Sequence, residues 1–352
     1  MHSIRIQPRA LRNGILGISA ALAVATFGAS AQPQGNGWLT IDVPSALGTE
    51  AAAINGHHVI AGDYVTTGSV DHGFVRTPDG TLTPFDDPAS TGSTLVSGIN
   101  LSGTIVGRSE VAGGFAGFIR SSGGTFTSFS VPGTTVTIPT AINDSGVVTG
   151  VSEDQQNQAF NAFVRTADGT ITSFLPPGAI DTEALAINGK GAIAGLYGDS
   201  SKAIHGFVRA ANGRITTFDL PGSVNLRPTG INSKGEITGW YQDATLPNAH
   251  GFVREPDGTI TTFDAPGVGP NTLGTQPASI DFNGNIAGYY VDAGPTAHGF
   301  VRDAAGTFHE FDAPGATNTF AAMIGPTGKV VGFSDNVHGF RLNRHVWQNA
   351  GP

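Results

Sequence analysis

Apolar and polar residues alternate in short runs along most of this chain, and the runs end at Gly, Pro, Asn or Asp. Residues 250–263, HGFVREPDGTITTF, are representative, because two alternating runs flank the turn sequence EPDG. A period of two, frequent β-branched residues and Gly-containing turns are typical of antiparallel β-strands. Beyond the first 31 residues we recognise no window with a helical pattern of apolar residues. The pattern therefore predicts an all-β fold of short antiparallel strands.

The same pattern recurs along the chain. A Gly-Phe or Ala-Phe dipeptide follows positions 72, 116, 161, 205, 250, 298 and 338, which is a repeat of roughly 45 residues. A typical copy contains a small-residue strand ending in Ile-Asn, an Asn-x-x-Gly turn, a second strand, an HGFVR-type third strand and a TITTFD-type fourth strand. Four strands per repeat are typical of β-propellers. The copies predict a seven-bladed β-propeller with four antiparallel strands in each blade.

The order of strand types predicts how this ring closes. The segment WLTIDVP (38–44) is a fourth-type strand, whereas HGFRLNRH (338–345), near the other end, is a third-type strand. The N-terminal strand should therefore complete the last blade, which removes two exposed sheet edges. We predict one propeller domain over residues 38–345 and a C-terminal tail over 346–352. A β-solenoid is the structural alternative, but it does not explain the displaced strand.

The repeated motifs resemble those of the HAF family of probable extracellular repeats. The resemblance covers nearly all of residues 38–345 and is carried by pairs such as AINDSGVVTG (141–150) with NAFVRTADGT (161–170). Two differences from the family are present. The family's His-Ala-Phe is usually replaced here by His-Gly-Phe, and the Leu-Gly-Gly type sequence at the end of its repeat is replaced by FDAPG. The resemblance implies an exported propeller-like protein. It brings no established activity and no catalytic residues.

The first 31 residues have the organisation of a secretory signal peptide. Arg5, Arg9 and Arg12 precede the apolar run GILGISAALAVATFG, which ends at ASA (29–31). We expect cleavage after Ala31 and a secreted or periplasmic mature protein. No other segment is long and apolar enough to predict a membrane span.

The amino-acid composition excludes several kinds of site and partner. The chain has no Cys, which excludes disulfides, thiolate metal sites and a Cys nucleophile. Its formal net charge of −9 argues against nucleic acid or an anionic membrane as a partner. We predict no cofactor and no metal, and we expect a monomer.

A His at the start of the third strand accompanies an Asp at the end of the fourth. The pairs are His72 with Asp86, His205 with Asp219, His250 with Asp264, His298 with Asp312, and His338 with Asp42. The two copies without this His also lack the Asp. These positions face each other across a hairpin, and burial of either group alone would be costly. Because one ring has one axis and usually one active centre, the fivefold pair predicts a structural brace, not a catalytic site.

Positions that break the repeat are the candidates for function. The short turns are uniform, whereas the second-to-third-strand loops and the connections between copies vary. We call the end of the sheets with these variable loops the loop face and the opposite end the turn face. One position near the start of the first strand holds Glu50, Leu95, Ile138, Glu183, Arg227, Gln276 and Phe320. The end of the second strand holds Tyr197, Tyr241 and Tyr290, with Trp240 beside them.

We expect Glu50, Glu183, Arg227 and Gln276 to lie with these aromatic residues at the axial mouth of the loop face. Two plainer interpretations stay open: Glu183 and Arg227 could form an exposed rim salt bridge, and the tyrosines could simply cap the packing between blades.

The sequence favours an exported, non-enzymatic propeller that binds a glycan or protein ligand at this mouth. One alternative is a polysaccharide lyase or glycoside hydrolase that uses the mouth carboxylates. Another is a structural component of a cell surface or matrix. No nucleophile elbow, metal motif or phosphate loop is present in the sequence, so we favour binding over catalysis.

Overall fold

The computed structural model describes residues 33–34, 37–154, 158–244, 248–335 and 337–349. Nearly all regular structure in these residues is β-strand, with one short helix near the end. The all-β prediction is therefore confirmed. The predicted signal peptide and its cleavage point lie outside the described residues, as do residues 350–352 of the predicted tail. No helix among the described residues is long and apolar enough to cross a bilayer.

The strands follow the sequence repeat. Two strands precede the first copy, β1 (Pro33–Gln34) and β2 (Trp38–Ile41). Copy 1 contains β3 (Gly48–Ile54), β4 (Ile60–Val65), β5 (Asp71–Arg76) and β6 (Leu82–Phe85). Copy 2 contains β7 (Thr94–Ile99), β8 (Ile105–Val111), β9 (Gly114–Arg120) and β10 (Phe126–Phe129). Copy 3 contains β11 (Thr134–Ile142), β12 (Val148–Asp154), β13 (Phe160–Arg165) and β14 (Ile171–Phe174).

The remaining copies have the same order. Copy 4 contains β15 (Ala179–Ile187), β16 (Ile193–Asp199), β17 (Ile204–Arg209) and β18 (Ile215–Phe218). Copy 5 contains β19 (Ser223–Ile231), β20 (Ile237–Asp243), β21 (Ala249–Arg254) and β22 (Ile260–Phe263). Copy 6 contains β23 (Thr275–Ile280), β24 (Ile286–Val291), β25 (Ala297–Arg302) and β26 (Phe308–Phe311). Copy 7 contains β27 (Thr319–Ile324), β28 (Val330–Ser334) and β29 (His338–Leu342), and the helix α1 (Arg344–Asn349) follows.

Consecutive strands of a copy pair antiparallel, and copies 1, 4, 5 and 6 each form a separate four-stranded sheet. Copies 2 and 3 share an eight-stranded sheet, because β11 and β9 meet in parallel at Val136 and Phe115. In copy 7 the fourth position is taken by β2, which pairs with β29 from Trp38 opposite Leu342 to Ile41 opposite Gly339. First strands of successive copies lie against one another, and β27 lies against β3.

The repeated Phe of the third strand forms the core of each copy. These rings are Phe74, Phe118, Phe163, Phe207, Phe252, Phe300 and Phe340, and all are buried. The Gly in the middle of each second strand is required by close packing, because a Cβ at Gly239 would lie 2.2 Å from the carbonyl oxygen of Arg227. Burial of apolar surface is the main stabilising term in such a repeat.

The Asn that ends the first strand links neighbouring copies. Its Oδ1 accepts backbone N–H groups of its own turn, from Lys190 and Ala192 in the case of Asn188. Its side-chain amide donates to the backbone carbonyl at the same position in the next copy, 2.9 Å from Asn188 to Asn232. The donors in this ladder are Asn55, Asn100, Asn143, Asn188 and Asn232. The sequence predicted a turn residue here and missed the link between copies.

The repeated Arg at the end of the third strand also joins copies. In copies 2 to 6 the guanidinium lies over a Phe ring of the preceding copy, with distances to the ring centroid from 4.7 to 5.1 Å. The pairs are Arg120 over Phe85, Arg165 over Phe129, Arg209 over Phe174, Arg254 over Phe218 and Arg302 over Phe263. Such cation–π contacts explain why this Arg repeats with the fold.

The helix α1 was not predicted, and it crosses the boundary drawn after residue 345. Trp347 is buried in the core, and its indole N–H donates to the carbonyl oxygen of Gly328 at 2.8 Å. The folded part therefore reaches at least to Trp347. A helix of this length covers fewer than two turns, which is too short for its periodicity to be recognised in a sequence.

A buried Thr at the start of the first strand offers a matched test of the repeat. The Oγ1 of Thr137 accepts the backbone N–H of Val131 at 2.9 Å. In copy 4 the equivalent donor would be Pro176, which has no N–H, and among the described contacts the Oγ1 of Thr182 has no partner.

We expect Thr137→Val to lower the free energy of unfolding by about 1–3 kcal/mol, because it leaves a buried N–H unsatisfied. Thr182→Val should be neutral or stabilising, because no bond is lost. Urea denaturation measures both variants, and equal losses would contradict this account.

Candidate functional site

The loop face carries the ends of the second and fourth strands and the starts of the first and third. This follows from the antiparallel order, because each short turn reverses the chain at the opposite end. The brace residues, Gln276 and Tyr290 lie at or next to these strand ends, and Glu50, Tyr197 and Tyr241 lie two residues from one. Glu183, Arg227 and Trp240 instead occupy the central positions of β15, β19 and β20.

The five His–Asp pairs are hydrogen-bonded in the structure. The Nδ1 atoms of His72, His205, His250, His298 and His338 lie 2.6–3.0 Å from the Oδ1 atoms of Asp86, Asp219, Asp264, Asp312 and Asp42. The pairs are not buried as the sequence argument assumed, since the side chain of Asp219 is 61% exposed and that of His205 is 22% exposed. Water at the surface screens them, so each pair contributes less than a buried one.

Some of these His residues also contact a second carboxylate or a Tyr ring, and these contacts differ between copies. In copies 4 and 6 the Nε2 atom faces a second carboxylate, Asp199 at 3.3 Å from His205 and Asp292 at 3.5 Å from His298. In copy 5 the distance from the Nε2 of His250 to Asp243 is 3.9 Å. A Tyr ring also packs against each of these imidazoles, with centroids 4.8–5.3 Å apart, as it does against His72.

The two carboxylates change the proton affinity of the imidazole between them. Partial burial lowers the pKa of His205, but hydrogen bonds and charge attraction from Asp219 and Asp199 outweigh it, so the pKa is raised. The same balance raises the pKa of His298. The hydroxyl of Ser201 and other hydrogen bonds, including one from His205, lower the pKa of Asp199 to about 2.

We expect the brace of His205 to stabilise the fold most at mildly acidic pH. Because the folded-state pKa is raised, the contribution is fully present below the unfolded value and is lost as pH rises through the folded one. The difference in unfolding free energy between the wild type and His205→Asn should therefore shrink from about pH 5 to about pH 8. A difference that is constant with pH, or that grows, would contradict the ionised pair.

The axial residues form a second, separate group. Glu183 accepts a hydrogen bond from Nη1 of Arg227 at 3.2 Å, so the predicted contact between adjacent copies is present. The Glu183 side chain is only 5% exposed and that of Arg227 is 24% exposed, so this is not the exposed rim bridge of the plainer interpretation. Trp240 lies opposite Arg227 in register, and Gln276 donates to the carbonyl of Leu273 at 2.8 Å.

The structure separates the tyrosines from this axial group. Thr182 pairs with Tyr197, whereas the next residue, Glu183, pairs with Leu196. Successive residues of a strand point to opposite sides of the sheet, so Tyr197 and Glu183 diverge. The same register separates Tyr241 from Arg227 and Tyr290 from Gln276. Tyr197 and Tyr290 are also buried. A shared mouth of tyrosines and axial charges stays a prediction. Glu50 lies in copy 1, opposite Asp63.

Burial of Glu183 makes its ion pair with Arg227 more important for stability than an exposed rim bridge would be. We expect Arg227→Ala to lower the free energy of unfolding by about 2 kcal/mol, because the nearly buried carboxylate loses its cation. Lys234→Ala is the control, because Lys234 is 43% exposed and lies 3.7 Å from Glu236. It should change stability by less than about 0.5 kcal/mol. Equal effects in thermal denaturation would contradict the difference in burial.

The described residues contain no group of three or more His, Asp or Glu side chains placed to hold a metal ion. The Nδ1 of each braced His lies within hydrogen-bond distance of a carboxylate, and a Tyr ring packs against the imidazoles of His72, His205, His250 and His298.

The four-stranded units and their common axial strands place this chain among all-β repeat proteins with a propeller-like fold. Solved structures agree. Virginiamycin B lyase from Staphylococcus aureus, as a catalytically inactive variant with quinupristin, is 14% identical over 87% of this chain and 98% of its own, with a TM-score of 0.58. The β-propeller domain of the Trilobed protease from Pyrococcus furiosus, described with an open velcro topology, is 6% identical over 84% and 95%, with a TM-score of 0.59.

A streptogramin B lyase structure is 16% identical over 87% of this chain and 97% of its own, with a TM-score of 0.54. At these identities the likeness shows the fold alone. No protein-family model matches the sequence, and no curated protein matches it.

Proposed function

We propose that this protein is an exported, closed seven-bladed β-propeller that binds a glycan or protein ligand through its loop face and has no catalytic role. Closure is supported by the pairing of β2 with β29 and by the contact of β27 with β3. The basic and apolar leader supports export. The repeated motifs support a place in the HAF family.

The observation that carries the binding role is the position of the residues that break the repeat. Glu183, Arg227 and Gln276 occupy one repeat position in three successive copies, and Trp240 lies opposite Arg227. The fold does not require these residues, because other copies have Leu, Ile or Phe there. A rigid scaffold that varies at one end is the usual arrangement of a binding protein.

The contacts of the polar groups favour binding over catalysis. The His–Asp pairs occur in five copies, and in four of them a Tyr ring packs against the imidazole. Glu183 is paired with Arg227, and Glu50 belongs to a copy three positions away along the chain. The alternative of two free mouth carboxylates acting as acid and base therefore has less support.

The test is a glycan array and a peptide array probed with the labelled chain from Gln32 onwards. We expect binding to at least one class of ligand. Trp240→Ala should weaken that binding, while Lys190→Ala, an exposed turn-face change, should leave it unchanged. Thermal denaturation checks that both variants are folded. Loss of binding only in the turn-face variant would overturn the proposal.

A further inference from the structure

Copies 3, 4 and 5 have an extended loop-face end that the other copies lack. Their first strands, β11, β15 and β19, each have nine residues. Near its start, each carries a register shift that leaves one residue unpaired: Thr135, Ile180 and Val224. Such bulges redirect a side chain away from the sheet and are frequent at functional edges.

Two of these bulge residues are apolar and exposed. Ile180 is 48% exposed and Val224 is 56% exposed. Leu175, 45% exposed, is close to Ile180, because the two flank a tight turn in which the N–H of Ala179 donates to the carbonyl of Pro176. Leu175 occupies the position at which five other copies have the brace Asp. Leu175 ends copy 3, Ile180 lies in copy 4 and Val224 lies in the adjacent copy 5, and the first strands of copies 4 and 5 are in contact. We call these three exposed side chains the aliphatic ridge.

Carboxylates flank the aliphatic ridge. Asp199 lies opposite Ala179, next to Ile180, and Asp243 lies opposite Ser223, next to Val224. Asp219 precedes the turn that leads to Val224, and its side chain is 61% exposed. The nearby cations are Lys202 in the 199–204 loop and Arg227, which is paired with Glu183. His205 also lies between Asp199 and Asp219, and His250 lies 3.9 Å from Asp243, so each adds positive charge when protonated. The ridge is therefore apolar along its centre and acidic along its sides.

We propose that the aliphatic ridge is a docking surface for a basic peptide segment of a partner protein. This docking proposal rests on the proposed binding role of the loop face, and it names the class of partner that the loop face binds. Apolar side chains of the segment would cover Leu175, Ile180 and Val224, and its Lys or Arg side chains would pair with Asp199, Asp219 and Asp243. The ridge consists of aliphatic side chains, which suit apolar peptide side chains, whereas sugar rings prefer aromatic faces. The acidic flanks repel an anionic membrane and favour a cationic partner.

The test is fluorescence anisotropy of the full mature chain with a labelled peptide of repeated Leu-Lys. We expect binding that weakens at least tenfold in the Ile180→Ser, Val224→Ser double variant and that falls with added salt. The matched control is Leu101→Ser with Phe282→Ser, because these side chains are exposed to 43% and 59% at the turn face. The control should bind as the wild type does. Melting temperatures establish that both proteins are folded.

Two comparison peptides separate the contributions. A Leu-Glu peptide should not bind, and a Ser-Lys peptide should bind much more weakly than Leu-Lys. Equal binding of Ser-Lys, or equal losses in the ridge and control variants, would overturn the proposal. An array glycan that Trp240→Ala weakens, together with no binding of Leu-Lys, would overturn the peptide assignment and leave the loop-face function standing.

Discussion

A chain shortened to begin at Pro44 is expected to lose its cooperative fold. The removed strand β2 supplies Trp38, Leu39 and Ile41, which are buried, and Val43 follows it. Trp38 packs edge-on against Phe311 and Phe340, with centroids 5.9 and 5.4 Å apart. Each such apolar side chain contributes about 1.5–3 kcal/mol on burial. Together they reach roughly 6 kcal/mol or more, which is comparable with the whole stability of many domains.

The matched control begins at Gly37 and lacks only β1 and its flanking residues. It should melt cooperatively, within a few degrees of the chain that begins at Gln32. Circular dichroism during heating distinguishes the three proteins. If the chain from Pro44 melted at the same temperature as the control, the N-terminal strand would not complete copy 7, and the proposed closure would fail.

Asn188→Ala is expected to lower the stability of the fold strongly. Asn188 is 5% exposed, and its side chain serves two backbone N–H groups of its turn and one carbonyl of copy 5. An unsatisfied buried group costs about 1–3 kcal/mol. We therefore expect the free energy of unfolding to fall by about 3 kcal/mol or more, measured by urea denaturation.

Asn188→Asp separates the two roles of this residue. The carboxylate can still accept the N–H groups of Lys190 and Ala192 but cannot donate to Asn232. The natural counterpart is Asp281, which accepts N–H groups from Asn283 and Asn285 in copy 6. The Asp variant should therefore lose clearly less stability than the Ala variant. Equal losses of unfolding free energy in the two variants would mean that the hydrogen bonds to the turn contribute nothing to stability. No loss in either variant would mean that the Asn ladder does not stabilise the fold.

The strand types, their order and the pairing of Asp42 with His338 could be predicted because copies of one pattern can be compared within a single sequence. Four-residue strands such as β6 alone would not have been recognisable. Comparison of copies also found the His–Asp contacts, because both residues vary together. It could not reveal their exposure, which depends on how far the strand ends project from the packed core.

The arrangement of the candidate site was less predictable, because the side of the sheet on which a residue lies depends on the register between strands. Tyr197 and Glu183 are at the same end of the sheet, yet one residue of offset in the pairing places them on opposite sides. The bulges at Ile180 and Val224 leave no sequence signature beyond the extra length before Ile-Asn. Helix α1 and the aliphatic ridge do not recur among the described repeats, so a comparison of repeats within the sequence could not predict them.

The central claim is that repeated residues build the fold and that a ligand binds at the loop face. Hydrogen–deuterium exchange of the chain from Gln32 onwards, with and without the first ligand identified on the arrays, tests this most directly. The account predicts slower exchange over residues 179–184 and 223–228, with the turns at 188–191 and 232–235 unchanged. Protection confined to those turns would contradict it.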